Sequence, residues 1–344
     1  MSTPWLVTGA AGFIGMHLTE RLAAVGQRVV AVDDLQATYE PALTAARWRR
    51  VQQLDAVEAV PLDVTDEAGT AALLARVRPP VVIHLAARAG VRGSHLEPMA
   101  YLRSNVLGFA NVLEQARATG VGHVVYASSS SVYGDDAPVP FRVEHPADHP
   151  VSVYAATKRA DELLAHSYAH AFGLPCTGLR LFTVYGPWGR PDMAYFAFAD
   201  AIHAGRPLQV FGDGSALRDF TYVDDVVDAI LGLADQPPTG PGGADVGGAD
   251  APWRVYNVGH GGQATVAELI EALEQRLGRS ARRVHLPAHT GDVRRTHADT
   301  TPLRERLGRS PATPLAAGLD RFAAWFLDHR AGVPAPTTTP PTSH

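Results

Sequence analysis

The stretch Trp5-Leu-Val-Thr-Gly9-Ala-Ala-Gly12-Phe-Ile-Gly15 decides the fold of this chain. A short apolar run ends at a threonine, three glycines follow at intervals of three, and an amphipathic segment begins. A strand that turns at once into a helix needs glycine there, because the backbone must bend sharply and let another group come close. The first N–H groups of the helix lack partners within it and suit an anionic phosphate. The three-and-three spacing departs from G-x-G-x-x-G, so a plain tight turn stands as the alternative.

Outward from that turn, apolar runs alternate with amphipathic stretches. The pattern predicts strands over 5–7, 28–33, 57–62, 81–85, 124–128 and 176–182, with helices over 12–25, 67–77, 99–118 and 154–172. Strands alternating with helices predict an α/β fold, a Rossmann-type doubly wound parallel sheet. After Tyr185 the texture shifts to loops and shorter elements. Residues 1–184 are therefore expected to form a dinucleotide-binding domain, and 185–330 mainly a smaller α/β region for the substrate. Later pieces such as 226–233 and 255–258 are candidates to return to the main sheet. Residues 236–252 are rich in Gly and Pro and read as a surface loop, and 333–344 as a disordered tail.

Asp33 closes the second predicted strand, eighteen residues past Gly15. A carboxylate there accepts hydrogen bonds from a ribose, and a 2′-phosphate would meet its charge, so NAD is expected over NADP. A turn role for the Asp33-Asp34 pair is the plainer alternative. Asp63-Val64, after the third strand, are placed either to meet an adenine or to make a simple turn.

Bulk composition narrows the classes further. The 344 residues carry a formal net charge of −5, lysine is nearly absent, and no broad nucleic-acid surface is expected. Cys176 is the only cysteine, so no internal disulfide forms and the cytoplasm is the default compartment. Neither a secretory leader nor a membrane span is read from the sequence. His166 and His170 lie four apart on a helix, but with no third ligand near them no metal is expected.

Ser128-Ser-Ser-Ser131-Val-Tyr-Gly134 follows the fifth predicted strand, at the edge where open α/β sheets bind ligands. By themselves the serines are no more than a polar turn. Tyr154-Ala-Ala-Thr-Lys158 begins 25 residues after Ser129 and changes the balance. Lys158 falls one helical turn after Tyr154, so its ammonium can favour the ionised phenol. Two unit charges about 4 Å apart at an effective dielectric near 20 interact by roughly 4 kcal/mol, about three pKa units, enough to bring a phenol from about 10 toward neutrality. Tyr154 is then a candidate general base.

At these residues the chain resembles the extended short-chain dehydrogenase/reductases, over nearly everything from 4 to about 305. In detail it is similar to nucleotide-sugar 4-epimerases, above all UDP-glucuronate 4-epimerases. The segments that carry the likeness are Ala89-Gly-Val-Arg92, Ser104-Asn105-Val-Leu-Gly108, Tyr126-Ala-Ser-Ser-Ser-Ser131-Val-Tyr-Gly, Tyr154-Ala-Ala-Thr-Lys158 and Leu181-Phe-Thr-Val-Tyr-Gly-Pro-Trp-Gly-Arg-Pro-Asp-Met193. The resemblance implies a catalytic set of Tyr154, Lys158, Ser129 and Ser130. It implies NAD held by Gly9, Gly12, Phe13, Ile14, Gly15, Asp33, Asp63, Val64, Leu85, Ala86, Ala87, Asn105 and Lys158. A UDP-sugar would meet Arg92, Ser129, Ser130, Thr183, Arg190, Arg218 and Asp292. A homodimer through the 99–118 and 154–172 helices is also implied.

The implied reaction oxidises the sugar at C4 and returns hydride to the other face, interconverting UDP-glucuronic and UDP-galacturonic acid with NAD restored. Dehydratases of the family carry Asp-Glu just after the catalytic hydroxyl, and the decarboxylases a Glu. Here Ser130 and Ser131 stand instead. A 4-keto glucuronate loses carbon dioxide readily, so its carboxylate needs a clamp, and Arg190 is the candidate through a bidentate grip; an ordinary loop arginine is the alternative. Epimerisation of a neutral UDP-hexose, decarboxylation of UDP-glucuronate and a non-catalytic NAD-sensing role are the rival readings. Arg88, Gly93 and Arg294-Arg295 depart from the family pattern.

Overall fold

The computed structural model describes residues 3–36, 39–240, 251–287 and 295–331. Seven strands form one parallel sheet: β1 (Trp5–Thr8), β2 (Val29–Asp33), β3 (Val57–Pro61), β4 (Val81–His84), β5 (His123–Ser129), β6 (Cys176–Leu181) and β7 (Trp253–Val258). Their order is β7-β6-β5-β4-β1-β2-β3. From β1 the chain winds one way through β2 and β3, then restarts at β4 on the other side. That reversal opens a crevice at the carboxyl ends of β1 and β4.

Both faces of the sheet are covered, and the sequence encodes this as continuous apolar strands whose alternate residues serve different cores. Val7, Val29 and Ala31 pack with α1 (Phe13–Ala24) and α2 (Pro41–Gln52), through Met16, Leu22, Leu43 and Val51. Leu6, Val30 and Val32 face the opposite core with α3 (Glu67–Val77), α4 (Gly108–Thr119) and α5 (Val153–Phe172), through Leu74, Phe109 and Ala165.

The later chain returns to this sheet. Strand β7 pairs with β6, and α6 (Val223–Ala234) adds Val226, Val227 and Ile230 to the first core, beside α1, where Arg21 pairs with Asp228 at 2.6 Å. Short parallel pairs, Thr183–Tyr185 with Phe220–Tyr222 and Pro207–Phe211 with Arg282–Leu286, build the platform on the substrate side. A last helix, α7 (Leu315–Ala331), closes over it with Phe322 and Phe326 buried.

The expected single helix over 99–118 is broken into Pro98–Tyr101, a wide π-type turn over Leu102–Leu107, and α4. The wide turn carries the fully buried Asn105, whose hydrogen bonds to Arg88 and Thr157 offset the irregular backbone.

Candidate active site

The glycine turn is built by exclusion. Gly9 has φ +72°, and a Cβ on it would lie 2.6 Å from the Ala86 nitrogen; on Gly15 it would lie 2.0 Å from the Gly9 carbonyl oxygen. No side chain caps α1 at Gly12, so the first amides of the helix, those of Phe13, Ile14 and Gly15, face the crevice. The Leu85-Ala86-Ala87 segment forms the opposite wall: the Leu85 N–H donates to the Thr8 carbonyl, and the Ala86 N–H to Thr8 Oγ1 at 3.2 Å.

Asp33 accepts from the Ala11 N–H and the Leu35 N–H, both at 2.9 Å, and so ties the glycine turn to the loop after β2. Burial pushes its carboxyl up against the pull of those amides. Each oxygen keeps a second acceptor direction, which suits a ribose diol. Asp63 makes the simple turn named as its alternative, accepting from the Thr65 N–H at 2.9 Å, with Val64 buried beside it.

Asn105 is fully buried behind the Leu85-Ala86-Ala87 wall. Its amide is spent inside the protein, accepting from the Arg88 N–H at 2.8 Å and donating to the Arg88 carbonyl at 3.0 Å and Thr157 Oγ1 at 2.9 Å. It braces the 86–88 wall against α5 and has no donor left for a cofactor.

Ser129 ends β5 and starts a 3₁₀ turn through Ser130 and Ser131, its Oγ accepting from the Ser131 N–H at 3.2 Å. Tyr154 is the second residue of α5, which Ser152 caps, and the Tyr101 ring stands edge-on to it at 6.4 Å. Lys158 is buried on the same helix, and its Nζ donates to Asp161 Oδ2 at 3.0 Å, a partner the sequence reading passed over. The next residue, Glu162, takes Ser128, Arg159 and both arms of Arg180. Burial pushes the Glu162 carboxyl up, but these donors prevail and hold it below the usual range. This buried network fixes α5, which carries Tyr154, against β5, which ends at Ser129, and against β6. Asp161 and Glu162 had a sequence signal, two acids directly after the Tyr-Lys motif.

On the substrate side, Thr183 begins the strand paired with Phe220, and Arg92 lies over the Phe211 ring at 4.8 Å. Arg218 donates to the Leu217 carbonyl at 3.0 Å. Asp292 and Arg294 lie outside the described residues, as do 241–250 of the expected loop and the 333–344 tail. Arg190, expected to grip a carboxylate with two arms, turns its Nε and Nη2 to Asp192 at 3.0 and 2.6 Å, and Nη2 also donates to the Ala89 carbonyl at 3.0 Å. Only the Nη1 side remains for a ligand among the described residues, which makes any carboxylate contact one-armed.

The loop that presents Arg190 is held from three sides. Arg47 of α2, fully buried, donates to the carbonyls of Trp188 and Gly189 and to the Tyr39 hydroxyl. His17 of α1 bonds the Pro187 carbonyl, and Trp188, at φ +59°, packs on Trp325 of α7. Asp219, fully buried, ties together two further loops by accepting from the N–H groups of His260, Gly261 and Ala298. Two departures from the family pattern find local reasons. A Cβ on Gly93 would lie 2.6 Å from the Tyr101 hydroxyl, and Arg88 pairs with Glu97 at 3.0 Å.

A doubly wound sheet with a glycine turn at its switch point, and a Ser-Tyr-Lys set on the adjacent strand and helix, defines a dinucleotide-dependent short-chain dehydrogenase/reductase. The model of the NAD dependent epimerase/dehydratase family matches residues 5–259, and the chain belongs to that family. It is 42% identical to a probable UDP-glucuronate 4-epimerase of Rhizobium meliloti, over 94% of this chain and 96% of that one. It is 43% identical to UDP-glucuronate 4-epimerase 3 of Arabidopsis thaliana, over 95% of this chain and 77% of the plant protein. Among solved structures, the UDP-glucuronic acid 4-epimerase of Bacillus cereus, in complex with UDP-glucuronic acid and NAD, superposes with a TM-score of 0.85 at 30% identity, covering 95% and 99% of the two chains. Among the described residues no helix is long and apolar enough to cross a membrane.

Proposed function

We propose that this chain is an NAD-dependent 4-epimerase that interconverts UDP-glucuronic acid and UDP-galacturonic acid through a 4-keto sugar. The observation that carries the reading is the placement of Ser129 at the end of β5 and of Tyr154 and Lys158 on α5, a helix that Glu162 ties to that strand through Ser128, with Arg190 bonded to the Ala89 carbonyl.

The residues fit NAD: the glycines let the turn pack tightly on its own backbone at the start of α1, where the free helix amides suit a pyrophosphate, and Asp33 presents a carboxylate where a 2′-phosphate would be repelled. When bound, the cofactor supplies a hydride acceptor and, later, a hydride donor. Tyr154 takes the proton from the sugar 4-hydroxyl and gives it back at the end, while Ser129 hydrogen-bonds the same oxygen. Lys158, one helical turn from Tyr154, would favour the ionised phenol and hold the nicotinamide ribose. In this reading Arg92 and Arg218 flank the diphosphate path and Thr183 faces the hexose.

The Nη1 edge of Arg190 holds the uronate carboxylate out of the orientation in which a β-keto acid loses carbon dioxide. Ser130 and Ser131 offer no carboxylic acid to drive a competing elimination. Epimerisation of a neutral UDP-hexose is the second reading, favoured by the Asp192 carboxylate that already occupies one face of Arg190.

The functional unit in this reading is a cytoplasmic homodimer. Leu96, Met99, Leu107, Leu163 and Phe172 are 83, 60, 56, 56 and 55% exposed along the 91–119 segment and α5, an apolar strip that suits a second copy. The decisive experiment is a proton NMR time course of the purified protein with UDP-glucuronate. Two interconverting UDP-uronates are expected, and release of carbon dioxide with a UDP-pentose product overturns the assignment.

A further inference from the structure

Lysine and arginine together number 30, and Lys158 is the only lysine. Wherever a cation merely pairs or binds, this chain uses arginine; it keeps the compact ammonium at one place, 2% exposed. A charge so deeply buried needs a counter-charge at hydrogen-bond distance. Asp161, 1% exposed, supplies it at 3.0 Å through Oδ2, while its Oδ1 is buried without a partner.

Among the described residues that face the pair, neither a second acid nor a neighbouring ring can do this. Glu162, on the same helix, is saturated by Arg180, Arg159 and Ser128. His84 of β4 feels the Lys158 charge, and burial followed by that charge pushes it down to about 3, so it is neutral. Tyr126 of β5 faces Asp161 and is held un-ionised, its hydroxyl pushed well up, first by burial and then by Glu162.

We infer that Asp161 is a positioning residue: it fixes the Lys158 ammonium at the floor of the cofactor site and adds the one negative charge there, so that the site prefers the cationic, oxidised nicotinamide to the neutral, reduced one. Without that charge, a nicotinamide cation would bind above an unbalanced ammonium. Burial, opposed by Lys158, pushes the Asp161 carboxyl up to about 6, so mild acid removes the same charge that a substitution would.

A single lysine makes the test direct. Protein labelled with heavy nitrogen only at lysine gives one side-chain signal, which in the wild type should shift with a midpoint at about 6. In Asp161→Asn the inflection should vanish, while the ratio of the NAD dissociation constant to that of NADH rises about fivefold. A melting curve establishes that the variant is folded. An unchanged titration, or an unchanged ratio in folded Asp161→Asn, overturns the inference, because a merely structural aspartate would not discriminate between the two redox states. Should the variant fail to fold, the wild type carries the test: the ratio must be higher at about pH 5 than at about pH 8, and a flat ratio overturns it.

Discussion

The two walls of the active-site crevice are made in different ways. The cofactor wall is a backbone construction within one short stretch: Gly9, Gly12 and Gly15 are required because backbone atoms already fill the space their side chains would take. The sugar wall is a side-chain construction drawn from remote segments, where Arg47, His17 and Trp325 hold the loop that carries Arg190. A wall made of backbone cannot yield without moving the sheet. A wall made of side-chain pins can lose one member and keep its outline, so evolution can alter the substrate while the cofactor stays.

The sharpest way to break this contrast is Gly15→Ala. The added methyl group meets a backbone oxygen 2.0 Å away, and neither atom can rotate aside. NAD affinity should fall by at least about a hundredfold in a binding titration, with a lower melting temperature. Near-normal affinity would mean the turn is less rigid than its contacts require.

On the other wall the loss should be smaller and selective. Arg190→Ala should weaken UDP-glucuronate by about tenfold, as expected for one charge-assisted hydrogen bond, and leave the affinity for UDP nearly unchanged. Calorimetry with the NAD-loaded protein would measure both. An unchanged preference between UDP-glucuronate and UDP-glucose would remove Arg190 from carboxylate recognition.

The smallest expected effect concerns the sheet that supports both walls. His123 is 1% exposed, and burial pushes it down to about 4 from an ordinary 6.5. The folded state therefore resists a proton that the unfolded state accepts. Its stabilising contribution is full above the ordinary value and declines as pH falls toward the folded one, by about 1 kcal/mol between about pH 7 and about pH 5.5. Asp161 acts in the opposite sense, because its raised carboxyl binds a proton more tightly when folded. Urea midpoints over that range should fall in the wild type and fall less in His123→Gln. An equal slope in both would show that other groups govern acid sensitivity.

Legibility followed the same division. The strand-turn-helix at Trp5–Ala24, the parallel sheet implied by alternating elements, and the Tyr154, Lys158 spacing could be read from the chain because each rests on local sequence pattern. The relatives and solved structures bore out the family and NAD. The partners of Asn105, Arg88 and Thr157, are remote in sequence, and no local pattern distinguishes an amide facing a ligand from one bracing a wall. Arg190 was read as a free fork although Asp192 stands two residues away, because whether neighbouring charges turn toward each other depends on the loop conformation.

The sequence by itself determined where the chain turns, which segments alternate as strand and helix, and which residues carry acid-base chemistry. Those properties come from local sterics, hydrophobic period and intrinsic side-chain reactivity. Only the tertiary structure decided that Asp161 answers the lone lysine, that Arg47 carries the loop of Arg190, and that β7 returns to the main sheet. Each is a pairing of buried groups far apart along the chain or turned together by the fold, and its energy exists only once water has been excluded from between them.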